Sequence, residues 1–223
     1  MSGSWVLAGT VIGEAVIAVL LTGVVLWRYS HGHQRCHLYW GIGLALVAVT
    51  MAQEGAFYLG LWSEWFAQTY LVLVALLVGI LSLGSAELSL KGWGRRLWWG
   101  YMGVTGAALV VVSFLSTVPS SIVVDGVVTG LPPIGIVVIS SLVTFPASLL
   151  LIGSSLYGAI WQKRYHLLFI AVGTAVIAAA GSLYLVSFPL SLYYAEFVGV
   201  VLLFLGFVRV PGLSSYATPT PAV

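Results

Sequence analysis

Residues 66–96 read FAQTYLVLVALLVGILSLGSAELSLKGWGRR. From Phe66 to Leu88 the stretch is apolar for at least the roughly 20 residues that a helix needs to cross the hydrocarbon core of a bilayer. It then meets a cluster of bases, Lys91, Arg95 and Arg96. A helix on the surface of a soluble protein would show charges along one whole face. Here Glu87 is the only charge in the run, and it stands at its end. The segment therefore predicts a membrane span that finishes in a basic loop.

The rest of the chain has the same character. Hydrophobic residues make up 61% of it and charged residues 6%, and the mean hydropathy is +1.10. A soluble domain carries about 25% charged residues, because its surface faces water. The net charge of +2 gives no footprint for nucleic acid. The single cysteine, Cys36, excludes an intramolecular disulfide. The N-terminus has no basic region before its first apolar run and no small-residue cleavage site after it, so that run is expected to be a helix of the mature protein rather than a signal peptide.

Apolar runs separated by polar or turn-forming clusters give seven spans, at about 5–27, 38–61, 66–88, 97–117, 134–161, 166–188 and 190–208. The breaks are RYSHGHQRCH, WSEW, SLKGWGRR, VPSSIVVDGVVTGLPP, QKRYH and the corner SFPLS at Pro189. Residues 1–210 form a single transmembrane domain on this reading. Residues 211–223, rich in Pro, Ser and Thr, read as a disordered tail.

Charge orients the spans. Arg28 and Arg35 fall in the first loop, Lys91, Arg95 and Arg96 in the third, Lys163 and Arg164 in the fifth, and Arg209 after the last span. With seven spans, every Lys and Arg lies on one side, which the positive-inside rule makes cytoplasmic. The N-terminus is then outside and the C-terminus cytoplasmic. Glu64 and Asp125 belong to the outer loops. Trp5, Trp62 and Trp65 outside, and Trp27, Trp40, Trp93, Trp98, Trp99 and Trp161 inside, read as interfacial anchors. Gly9 with Gly13, the series Gly100, Gly103, Gly106, and Gly153 with Ser154 and Ser155 read as small faces for helix contact. Pro146 is expected to kink span five. Glu87 lies within reach of Lys91, four residues on.

Three carboxylates are out of place in this pattern. Glu14, Glu54 and Glu196 each lie inside a span, about 10 to 13 Å below its outer end at 1.5 Å per residue. A charged side chain at such depth costs about 2.5 to 3.5 kcal/mol on insertion scales, so it turns to the bundle interior and finds partners. Thr10 flanks Glu14, Thr50 and Tyr58 flank Glu54, and Tyr193 flanks Glu196, at spacings of three or four that share a helix face. In a closed ring, spans one, two and seven are neighbours, and the three acids converge on one outward-facing cavity. No Lys, Arg or His lies at that level, so they cannot all be ionised without a cation, and they would share protons as a group. Such a cluster suits proton relay or the binding of a small cation or amine. The alternative left open is that each acid is protonated and hydrogen-bonded to a neighbouring helix as structural glue.

Other chemistries find less support. His31, His33, Cys36 and His37 supply metal donors in the first inner loop, but their spacing matches no zinc pattern, and a basic loop facing anionic head groups is the plainer reading. Span seven holds no lysine for a retinal Schiff base, and no histidine lies within a span to ligate haem. No cofactor is expected. No nucleophile elbow or zinc-protease motif is present, and an intramembrane enzyme built on Glu54 and Tyr58 is the least supported reading.

The C-terminal third, PASLLLIGSSLYGAIWQKRYHLLFIAVGTAVIAAAGSLYL (146–185) followed by YYAEFVGVVLLFLGF (193–207), resembles the last three spans of small, uncharacterised bacterial seven-span membrane proteins. The resemblance implies the span count and no activity. The expectation is thus an all-α, polytopic seven-helix bundle in a prokaryotic inner membrane. It would handle protons or small cations as a channel, coupled transporter or ion-sensing site. The alternative is a receptor-like or accessory subunit that binds a small molecule or lipid from outside and contacts a partner membrane or cytoplasmic protein.

Overall fold

The computed structural model of the chain describes residues 2–61, 63–124, 127–128, 131–184 and 189–208; the side chains of 2–8, 10, 58, 121, 123–124, 127–128, 180–184, 189–194 and 208 are outside that description. The tail 211–223, Arg209, Trp62 and Asp125 fall outside the described residues. The described residues form seven α-helices: α1 (Ser2–Gly32), α2 (Arg35–Tyr58), α3 (Glu64–Ser89), α4 (Gly92–Leu115), α5 (Ile134–Ile160), α6 (Leu167–Tyr184) and α7 (Pro189–Val208). Each of them overlaps one of the expected apolar runs. Five carry a segment long and apolar enough to cross a membrane: Val11–Gly32, Arg35–Phe57, Glu64–Ser89, Gly92–Leu115 and Ile134–Ile160. Large apolar side chains also cover the outside of the bundle, including Val104 at 72%, Phe145 at 66% and Leu115 at 81% exposure. Together with the five long apolar helices, this is the outer surface of a membrane protein.

Local chemistry sets the ends of the helices. At the α2–α3 turn, Gly60 takes a left-handed φ of +80°. Its N–H donates to Phe57 O at 2.9 Å, and the Leu61 N–H donates to Ala56 O at 3.0 Å. This is the paired C-cap that glycine permits. Ser63 then caps α3, its hydroxyl accepting the Phe66 N–H at 3.2 Å. Glu64 is therefore the first residue of α3 and not a loop residue; its carboxylate accepts the Val118 N–H at 2.9 Å and pins the α4–α5 connection. That connection holds a feature the sequence reading missed, a minimal antiparallel hairpin pairing Val123 with Val128 and Val124 with Val127. The Asp-Gly pair between them in the sequence is a strong hairpin signal.

The ring closes with six helices, not seven. α1 packs on α2, α2 on α3, α3 on α5, α5 on α6, α6 on α7, and α7 back on α1, while α4 lies against α3 and α5 from outside. All described Lys and Arg residues stand at or just beyond the helix ends on one side, the basic end. The half of the ring nearest that end is filled by one apolar core, with Leu21, Val25, Trp40, Leu44, Leu81, Leu151, Ile170, Leu203 and Phe207 drawn from all six helices. Trp40 belongs to this core at 8% exposure, which corrects its reading as an interfacial anchor. Gly84 makes the room, because a Cβ there would collide with the Trp40 ring.

The small-residue faces also differ from expectation. Gly9, Gly100, Gly103 and Gly153 face open space, while Gly13 and Gly106 of the expected faces lie against Phe197 and Leu76; tighter contacts are at glycines outside those faces, among them Gly41, Gly43 and Gly158, and Gly173, Gly199 and Gly206 between α6 and α7. Sequence alone marks glycines but not the face the bundle buries. α5 runs as one helix through Pro146.

Candidate functional site

The site is built from three inward stripes. On α1 the stripe is Glu14, Ala18, Leu21 and Val25, and on α7 it is Glu196, Val200, Leu203 and Phe207. These are the same i, i+4, i+7, i+11 spacing on two helices that run in the same direction. On α2, which runs the other way, it is Glu54, Met51, Val47 and Leu44. The apolar members of all three pack in the bundle core, so the carboxylate at the head of each stripe points to the same axis. Glu14 and Glu54 are buried, at 0% and 6% exposure. Glu14 lies within electrostatic reach of Glu54, and Glu196 within reach of both. The fold thus places the three acids on neighbouring helices within electrostatic reach of one another.

Their oxygens are under-satisfied. The Tyr70 hydroxyl on α3 donates to Glu54 Oε1. Both oxygens of Glu14, and Oε2 of Glu54 and of Glu196, are buried without a hydrogen-bond partner among the described residues. Such groups are rare in native proteins and mark places where a proton, water or ion completes the structure. Among the described residues no cation is paired with any of the three; the ion pair that is present joins Arg95 to Glu87 at 3.1 Å, at the basic end. That pair corrects the expected Glu87–Lys91 contact. Arg95 reaches back across the α3–α4 turn, Trp99 Nε1 donates to the other Glu87 oxygen at 3.1 Å, and Lys91 is the residue that precedes α4.

The site has an apolar floor and a partial roof. One turn toward the basic end, Ala18, Val47, Met51 and Val200 form a cluster of their own, and the core described above lies beneath it. At the opposite end Phe57 packs edge-on against Phe66 and Tyr70, with centroids 5.1 and 5.5 Å apart, and joins Val118 and Ile122 of the α4–α5 connection.

Of the flanking polar residues, Thr50 is fully buried and donates to its own helix, at Val47 O, 2.9 Å away. The side chains of Thr10, Tyr58 and Tyr193 lie outside the described residues. Tyr70 was not among the sequence-predicted site residues. The signal for it was present: Glu54 and Tyr70 are equidistant from Trp62 in the turn, so an antiparallel hairpin brings them to one level. Gln53, Glu54's neighbour in the sequence, is also buried at 7% exposure, with Oε1 unpartnered among the described residues.

The histidine-rich loop does not gather. His31 is exposed, with Nδ1 2.9 Å from Trp27 O of its own helix, and His33 is exposed at a left-handed φ of 48°. Cys36 and His37 are instead buried in α2, and His37 stands edge-on to Trp40. Among the described residues no group of three or more His, Cys, Asp or Glu is placed to hold a metal ion. At the α5–α6 turn, burial, with the nearby Arg164 charge adding to it, holds the His166 imidazole below its usual range. Apart from these groups, an apolar pocket of about 120 Å³ between α3, α4 and α5, lined by Leu76, Gly79, Leu83, Trp99, Met102 and Gly103 among others, offers little polarity to orient a ligand.

The chain matches no family model, no curated protein and no solved structure.

Proposed function

We propose that the chain is a seven-span protein of a prokaryotic inner membrane, with its N-terminus outside and its basic end in the cytoplasm, and that it binds protons or a small cation at Glu14, Glu54 and Glu196. The observation that carries this reading is Glu14. It is completely buried, faces two other carboxylates, and has neither oxygen partnered among the described residues. An isolated ionised carboxylate cannot persist in such surroundings, so the side chain takes up a proton or a cation. The basic-end loops support the orientation through the positive-inside rule. The ligand enters from the opposite, outer face, because the apolar floor and core separate the acids from the cytoplasmic end.

That same core favours a second reading, the receptor-like or accessory subunit, in which the site is loaded from outside and nothing passes through. Flux of protons and of Na⁺ and K⁺ in proteoliposomes separates the two. A transporter gives flux in the wild type that is lost in Glu54→Gln while the variant stays folded. The accessory reading gives no flux in either, with ligand-dependent stability still present in the wild type. No flux, combined with stability that responds to neither pH nor cations, refutes both.

A further inference from the structure

We infer, building on the proposed carboxylate site, that its ligand is the proton rather than a metal ion or an organic cation, with Glu54 held in place by Tyr70 and Glu14 as the group that exchanges. The argument begins with the donors. α1, α2 and α7 run as unbroken helices through Glu14, Glu54 and Glu196, so their backbone carbonyls are engaged in helical hydrogen bonds. Membrane sites that strip water from Na⁺ use unwound helices to free such carbonyls, and a Ca²⁺ site needs about 6 to 8 oxygens. Among the described residues the unpartnered oxygens on these helices are those of the three carboxylates and Gln53 Oε1, and no group of three or more acids there is placed to hold a metal ion. A proton needs no cavity, no coordination sphere and no dehydrated shell.

The groups facing Glu14 make the division of labour. α2 presents Glu54, and α7 presents Glu196. From α3, Tyr70 approaches Glu54. α6, packed behind α7, carries no Asp, Glu, Lys, Arg or His. Glu54 therefore has one oxygen fixed by a hydroxyl donor, while Glu14 has none among the described residues, and that asymmetry makes Glu14 the freer acid. Loading is the addition of one proton from water on the outer side to a Glu14 carboxylate oxygen, which removes a charge facing Glu54 and Glu196. In the sequence, the next polar residues toward that side are Thr10, Tyr58 and the pair Tyr193 and Tyr194. Tyr70 is a positioning residue: it acts on Glu54 and not on the exchanging proton.

The test is infrared difference spectroscopy of the full-length protein in lipid nanodiscs. One series steps the pH; a second steps Na⁺, K⁺, Ca²⁺ or methylammonium at fixed pH. The expected result is a protonated-carboxyl C=O band that responds to pH, shifts in D₂O and ignores every cation. Glu14→Gln removes the pH-responsive component. Tyr70→Phe moves the frequency of the Glu54 component and leaves that of Glu14 in place, a readout that a purely structural tyrosine would not change. A cation step that abolishes the band at fixed pH overturns the proton assignment and leaves the site itself standing. A wild-type spectrum indifferent to both series overturns the assignment and the site together. If Glu14→Gln does not fold, the two wild-type series decide alone.

Discussion

Removing the Tyr70 hydroxyl tests the geometry of the site most economically. In the structure this group donates to Glu54 Oε1, and Glu54 is buried with its other oxygen already unpartnered among the described residues. Tyr70→Phe keeps the ring, with its edge-on contact to Phe57 at 5.5 Å, and deletes only the donor. Leaving a buried acceptor unsatisfied costs about 1 to 3 kcal/mol in soluble proteins. Interhelical hydrogen bonds in membranes average nearer 0.6 and reach about 1.7 kcal/mol, because the unfolded reference also finds partners. A loss of about 1 to 2 kcal/mol follows, worth roughly 2 to 8 °C in melting temperature for a chain of this size. A double-mutant cycle with Glu54→Leu, which removes the acceptor, isolates the pair. The expected coupling is about 1 kcal/mol in thermal unfolding or denaturant titration in micelles. A coupling near zero, with each single change acting independently, would refute the claim that this bond ties α2 to α3.

Gly173→Ala places a Cβ 2.8 Å from Gly199 O and 3.2 Å from the Leu203 nitrogen, so α6 and α7 must separate. It is expected to cost about 1 to 3 kcal/mol, whereas Gly153→Ala, which meets open space, should be neutral or slightly stabilising; melting curves of the two check the burial pattern. Glu14→Gln removes a buried, unpartnered acid while keeping the side chain's size, and on the proposed proton site the pH dependence of the wild-type melting temperature should be reduced in the variant. His166 sits below its usual range in the fold, so the unfolded chain binds its proton first as pH falls. Stability should drop as pH descends through about 6.5, and His166→Gln should flatten that part of the profile. Arg95→Ala breaks the ion pair with Glu87, but Arg95 is 43% exposed in that pair, so the loss should stay within about 1 kcal/mol.

The seven helices were legible because run length and the one-sided placement of Lys and Arg are both properties of the chain itself. The level of the three acids was legible for the same reason, from their distance to the span ends and their i, i+4 neighbours. The position of α4 was not. Its described buried residues, Met102, Gly106, Leu109 and Ser113, form one narrow stripe, while α3 is buried over much of its surface toward the basic end. Lipid tails are as apolar as a protein core, so hydropathy cannot separate a peripheral helix from a central one. Trp40 was misread for a related reason: a tryptophan near a span end looks like an anchor until the facing Gly84 is seen to receive its ring. Tyr70 needed the hairpin register about Trp62, which becomes readable only when the two helices are taken together.

The central claim is that Glu14, Glu54 and Glu196 form a buried acid cluster that takes up a ligand from one face. Its most direct test is modification of the membrane-embedded protein by an apolar carbodiimide, which attacks protonated carboxyls, with the modified residues identified by peptide mass spectrometry across a pH series. The account predicts modification at Glu14, diminishing as pH rises and lost in Glu14→Gln, with Glu64 and Glu87 spared by the apolar reagent. Modification confined to Glu64 and Glu87, with Glu14, Glu54 and Glu196 untouched at every pH, would contradict it.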